Sequence, residues 1–377
     1  MKKTVFARSL LSLALAGALL CGCGGAAASA SEPASLPAAS SASGLRLTQS
    51  DAVTSKEYEK NSAYADFLAA AQPAYLIPGL QEGAIPQGMG LCKANGRLYV
   101  SSYFTADDLP SVITALDAQS GALTAEYFLY QPGGAAFDSH VGGVAVSDTT
   151  LYVSARLDND GGYSIAALPL NELAESGSQD VTVETTIQLP VSPSFLNYSD
   201  GVLWVGNFYH PDKDYGLSPA MNFTTASQDG EYGCYILGYR LGADEAVRMT
   251  PAAGEAYPIP DYVLAAPDRI QGMTLTQDGR VLLSQSYGRK NDSALLSYAL
   301  DLSRTPALTV PVGNAQVPCW VLDSACAGTH LTAMPMTEAL SLAPDGGIYV
   351  LFESGAMHYS DGKNRTDHIW KLALPAA

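Results

Sequence analysis

Five times along the chain a polar residue is followed by small or apolar residues, a turn rich in Asp, Asn or Gly, and a short β-forming run. The copies are "QGMGLCKANGRLYVSSY" from Gln87, "HVGGVAVSDTTLYVSAR" from His140, "SFLNYSDGVLWVGNF" from Ser194, "QGMTLTQDGRVLLSQS" from Gln271 and "EALSLAPDGGIYVLFE" from Glu338. Each reads as two strands joined by a tight turn. A third strand follows every pair: "SVITALDAQ", "YSIAALPL", "CYILGYRL", "ALLSYALDL" and "HIWKLAL". A fourth extended segment follows the first four: "LTAEYFLY", "VETTIQLP", "EAYPIPDYVL" and "VPCWVLD". The fifth unit reaches the chain end without one, and "AYLIPGL", Ala74 to Leu80, is an orphan extended segment ahead of the first unit. If it pairs with the last unit, a ring closes, and Pro78 is tolerated on the free edge of an outermost strand.

Four-stranded units repeated around an axis define a β-propeller. The fold class expected is therefore all-β, a five-bladed propeller over residues 73–377 closed by the strand near 74–80. The spacings between units are 53, 54, 77 and 67 residues, so six blades, with a degenerate one inside Phe208–Arg269, is the alternative. The strand pairs and the "ALDAQSGAL" turn resemble the broad group of secreted bacterial propellers that includes YVTN-type, SMP-30-like and TolB-like proteins. That resemblance covers about four-fifths of the chain and implies architecture; propellers host enzymes, binders and scaffolds alike.

The N-terminus reads as an export signal: Lys2, Lys3 and Arg8 precede an apolar core, Leu10 to Leu20, that is short for a bilayer span. "LCGC", Leu20 to Cys23, resembles the lipobox of bacterial lipoprotein signals, which implies cleavage after residue 22 and lipidation of Cys23. The expected location is the extracytoplasmic face of the bacterial membrane, held by a lipid anchor. Residues 23–54, nearly all Ala, Ser, Gly and Pro in their first half, read as a flexible tether. Residues 55–72 read as a short helix with Tyr58, Tyr64, Phe67 and Leu68 as its apolar contacts.

The net charge is −17, and loss of residues 1–22 with their three cations leaves −20. A surface this acidic opposes phosphate backbones, so nucleic acid is not an expected partner. Cys92, Cys234, Cys319 and Cys326 remain in the propeller region, with no zinc spacing. Export allows Cys319 and Cys326 to close a short loop as a disulfide, with two buried thiols as the other reading.

First strands line a propeller's channel, so repeat-equivalent residues converge there. The expected inner ring is Gln87, His140, Ser194, Gln271 and Glu338. A second layer at the ends of the second strands is Tyr103, Arg156, Asn207, Gln285 and Glu353. Such a ring either binds a ligand (a glycan, a peptide or a partner protein) or holds the blades together by mutual hydrogen bonds. Arg156 paired with Glu338 or Glu353 offers bidentate donors to a carboxylate or sugar. The SMP-30-like resemblance implies a rival: a metal-dependent lactonase or esterase, with Glu338, His140 and Asn207 holding a divalent ion such as calcium and a water. Two glutamates, Glu338 and Glu353, also raise the two-carboxylate chemistry of glycosidases. "RLDNDGGYS", Arg156 to Ser164, reads as a turn rather than a calcium loop. In "NFYHPDKDYGLSP", Asn207 to Pro219, exposed Tyr and His on a long insertion suit either ligand contact or loop packing.

Overall fold

A computed structural model describes residues 44–106, 108–155, 163–184, 186–213, 215–242, 245–306 and 308–374. Five antiparallel sheets form a closed ring of blades. Their inner strands are Ile85–Cys92, Val144–Val146, Phe195–Ser199, Ile270–Leu275 and Thr337–Leu342 for blades 1 to 5. Each inner strand touches that of the next blade, and the fifth touches the first.

Both faces of every blade are covered by its neighbours, which is why the strands read as near-continuous apolar runs. The alternation of side chains along a strand divides each run between two seams. In blade 3, Leu203 and Val205 enter the seam with blade 2, whereas Val202 and Trp204 enter the seam with blade 4. In blade 4, Val281 and Leu283 face blade 3 and Leu282 faces blade 5. Five apolar clusters thus fill five seams.

The ring closes with the N-terminal strand, Ala71–Leu76, antiparallel to His368–Leu372 as the outer strand of blade 5. It lies earlier than the expected 74–80. The strand ends before Pro78, which has no N–H, and Gly79 then turns the chain with φ of 79°. The region 55–72 is two single 3-10 turns, Glu57–Lys60 and Ser62–Tyr64, and one short α-helix, Ala65–Ala70, before that strand. Tyr58, Tyr64 and Phe67 are buried over the seam between blades 4 and 5, with Tyr58 edge-on to Trp370 at 5.6 Å. Residues 45–53, expected as the end of the tether, are laced onto the ring. The Leu47 amide donates to Glu126, Gln49 bonds Leu76, Gly121 and Leu123, and the Ala52 and Val53 amides donate to Asp367.

Among the described residues, the long third unit contains no hidden blade. Its insertion holds a small hairpin, Thr225–Ser227 with Gly230–Tyr232, and a short helix, Glu245–Arg248. The segment "VPCWVLD", expected as the outer strand of blade 4, belongs elsewhere. Ala315–Val321 forms a hairpin with Leu308–Val312 and adds in parallel to Tyr262–Ala266, extending blade 3 to six strands. The outer strand of blade 4 is Ala327–Ala333. Similarly, Gly177–Thr182 joins the outer edge of blade 1 in parallel. Outer edges offer unpaired backbone groups to any extended segment within reach.

Cys319 and Cys326 are free thiols, as are Cys92 and Cys234. The disulfide does not form because the two side chains enter different cores. Cys319 packs under blade 3, where burial pushes its thiol up to about 12, while Cys326 packs between blades 3 and 4. Cys23 lies outside the described residues, among which no helix is long and apolar enough to cross a membrane.

Candidate functional site

Three of the five inner-ring residues sit at β-bulges in the same place in their blades. The register between first and second strands slips by one residue between Pro86 and Met89, between Ile270 and Gly272, and between Thr337 and Leu340. The extra residue falls at Gln87, Gln271 and Glu338 respectively. A bulge bends the strand and re-aims a side chain, here at the axis end of each blade. Gly88 follows Gln87 because a Cβ there would stand 2.6 Å from Ser101 Oγ and from the Val144 amide of the next blade. Ser101 ties that seam together: it accepts from the Gly88 amide at 2.9 Å and donates to the Val141 carbonyl at 2.7 Å. In blade 4, Ser284 repeats the device, donating to the Glu338 carbonyl of blade 5 at 2.6 Å.

At this end of the channel, blades 1 and 5 build a polar floor. Glu338 is 3% exposed and hydrogen-bonded to the Glu353 carboxyl. Burial, and then the charge of Glu353, push Glu338 well above the ordinary carboxyl range. Burial also raises Glu353, to about 7, although bonds from Gln87, Tyr359 and Glu338 favour its charged form. The pair therefore shares a proton near neutrality, with the Glu338 carboxyl donating to the Glu353 carboxylate. Gln87 Nε2 donates to Glu353 Oε2 at 2.7 Å and to its own Pro86 carbonyl at 3.0 Å. Tyr359 donates to Glu353 and meets Tyr103 hydroxyl to hydroxyl at 3.3 Å.

Aromatic rings surround that floor. Tyr103 lies against His140 with centroids 4.4 Å apart. His140 is open to solvent yet enclosed by surrounding protein, the situation of a side chain lining a channel mouth. The enclosure lowers its pKa, so the imidazole is neutral at physiological pH. The Arg289 guanidinium covers Tyr359 at 4.7 Å and pairs with Asp361 at 2.9 Å. Around the rim, Phe208, His210, Tyr215 and Tyr287 form a connected aromatic group, with Tyr215 52% exposed.

Gln87, Tyr103, His140, Glu338 and Glu353 thus come together. Among the described residues, Ser194, Asn207, Gln271 and Gln285 make no hydrogen bond with them. Asn207 is buried and tied within blade 3: its Oδ1 accepts from the Tyr235 amide at 2.6 Å and its Nδ2 donates to the Gly233 carbonyl at 3.2 Å. It stands in for a peptide in the sheet, which corrects its assignment as a ligand-binding or metal-binding residue. With Asn207 removed and His140 stacked on Tyr103, the Glu338–His140–Asn207 set does not fit a divalent ion. No group of three metal-ligating side chains occurs among the described residues. Ser194 accepts from the Phe208 amide at 2.9 Å, and Gln285 donates to the Asp268 carbonyl at 2.8 Å. Gln271 is half-buried at its bulge. Arg156 and the loop after it lie outside the described residues. Direct contact between Glu338 and Glu353 also leaves no room between them for a sugar ring, against the wider separations of glycosidases.

Two participants escape a reading confined to strand ends. Arg289 and Tyr359 lie in the loops after the second strands of blades 4 and 5, "SYGRKND" and "ESGAMHYSD". The signal was positional: these loops share the face on which the inner strands begin.

No family model and no curated protein matches the sequence. Among solved structures, the chain is similar to a PQQ-bound aldose sugar dehydrogenase from Streptomyces coelicolor. That match has 16% identity and a TM-score of 0.44, and covers 80% of this chain and 97% of the other. It is also similar to glutaminyl cyclase from Myxococcus xanthus, at 10% identity and a TM-score of 0.40, with coverages of 80% and 94%. A glucose dehydrogenase matches at 11% identity and a TM-score of 0.36, with coverages of 75% and 80%. Such neighbours are propeller-type proteins, and at these values none lends its chemistry to this chain. The chain is a five-bladed β-propeller.

Proposed function

We propose that this propeller is a lipid-anchored extracytoplasmic protein that binds a glycan at the mouth where its inner strands begin. The observation that carries this reading is the floor of Gln87, Glu338, Glu353 and Tyr359 beneath a wall of aromatic faces. Sugars present hydroxyls that both donate and accept, together with apolar C–H faces. Glu353 accepts and is held in place by Gln87, Arg289 donates, and Tyr103 with the rim aromatics supplies flat apolar surface. A peptide or a partner protein would be recognised through wider contacts than this compact floor offers.

The support for the anchor is the lipobox-like "LCGC". Palmitate labelling in a bacterial host should be lost in Cys23→Ala. For binding, calorimetry of the mature protein against neutral oligosaccharides should give saturable heats. Glu353→Gln and Tyr103→Ala should each weaken binding about tenfold or more, which is about 1.4 kcal/mol. Unchanged affinity in both variants would remove the site. Absence of saturable binding to any glycan would remove the ligand class.

A further inference from the structure

The opposite mouth of the channel, where the inner strands end, carries a second and differently built cavity. Its volume is about 230 Å³, and all five blades line it, through residues that include Lys93, Val146, Asn197, Asp200, Gln277 and Ser341. That space holds several waters, enough for a molecule of small amino-acid size.

Three features of the lining point to a ligand. Asn197 is only 5% exposed, and its Oδ1 is taken by the Ser199 hydroxyl at 2.6 Å. Its Nδ2 has no hydrogen-bond acceptor among the described residues and is left accessible where this largely buried side chain lines the cavity. Lys93 follows the inner strand of blade 1 and has no ion-pair partner among the described residues. Asp200 follows the inner strand of blade 3 and likewise has none. A tight turn fixes Asp200, with φ of 51° there and 77° at Gly201. Blades 1 and 3 are separated in the ring by blade 2, and their inner strands approach across the axis. The two charges therefore stand on different sides of one small cavity without neutralising each other.

We propose that this cavity binds a small zwitterion of amino-acid size. The ligand carboxylate meets the Lys93 ammonium and the Asn197 amide, and its ammonium meets Asp200. A simple anion would face Asp200 unpaired, and a simple cation would face Lys93. The acidic side is reinforced by Glu245 and Asp148, whose charges, after burial, raise the Tyr198 hydroxyl. This site is independent of the glycan reading, because no residue is shared between the two mouths.

The test is calorimetry or ligand-observed NMR on the mature protein with glycine, alanine and glycine betaine, against acetate and methylammonium as single-charge controls. The zwitterions should bind at least about tenfold more tightly than either control. Lys93→Ala and Asp200→Asn, both at exposed positions, should each weaken zwitterion binding about tenfold or more. Glu353→Gln at the other mouth should leave it unchanged. Acetate binding as tightly as glycine would overturn the proposal. So would unchanged affinity in Lys93→Ala, or absence of saturation by any zwitterion up to about 10 mM.

Discussion

The Gln87 side-chain amide donates to a carboxylate oxygen of Glu353 at 2.7 Å, joining blade 1 to blade 5 at the channel mouth. Blade 5 is the one closed by the N-terminal strand, so this bond lies beside the ring's closing seam. It also holds the charged member of a carboxyl pair whose other member, Glu338, is buried beneath it.

That pair makes stability fall as pH rises. Both carboxyls are lifted above 4.5 in the folded chain, chiefly by burial, so the native state keeps a proton the unfolded chain releases. Stability is therefore lost between pH 4.5 and the raised values, and the loss persists above them. Glu338→Gln keeps the shape and a donor toward Glu353 while removing the titration. At pH 8 it should stabilise the protein by about 1–2 kcal/mol, and at pH 4 not at all. Thermal melts at the two pH values check this; an equal effect at both would contradict a shared proton.

Asp367 acts in the opposite direction. Burial alone would raise its carboxyl, but bonds from His368 and from the Val53 and Ala52 amides hold it below 3.8. Its contribution is present above 3.8 and fades as pH falls through the lowered folded value. Asp367→Ala should cost about 2–3 kcal/mol at neutral pH and open residues 45–53 to protease. Limited proteolysis with N-terminal sequencing of the fragments reports the opening, and an unchanged cleavage pattern would show that the strap is held elsewhere.

Gly88→Ala should be severe, costing about 3 kcal/mol or more, because its Cβ would collide with Ser101 Oγ and a Val144 amide that cannot retreat. Gly216→Ala, with nothing within 4 Å of the added carbon, should be near neutral. Urea denaturation of the two variants compares them directly.

Cys319 and Cys326 should both react with maleimide when the protein is unfolded without reductant, because each thiol is free and enters its own core. A disulfide-linked peptide in the non-reduced digest would count against this arrangement.

The blade count was legible in the sequence because a propeller strand has both faces buried. Runs such as "VLWVG" and "IYVLF" are apolar throughout, and the turns before them carry Asp-Gly. Position at the axis was legible too, because the small residues beside Gln87, His140 and Gln271 mark where backbones crowd. Strand partnership at the outer edges was not. A ladder of backbone hydrogen bonds carries no side-chain code, so nothing in "VPCWVLD" says that it adds to blade 3 rather than blade 4. Nor does an Asn at a strand end reveal whether it faces the channel or, like Asn207, replaces a peptide within its own sheet. The sequence by itself determined the ring and which polar residues stand at equivalent places in its blades, since periodicity and burial are written residue by residue. Only the tertiary structure decided which of those polar groups meet, because a one-residue bulge and a loop from another blade set the direction of Gln87 and the place of Tyr359.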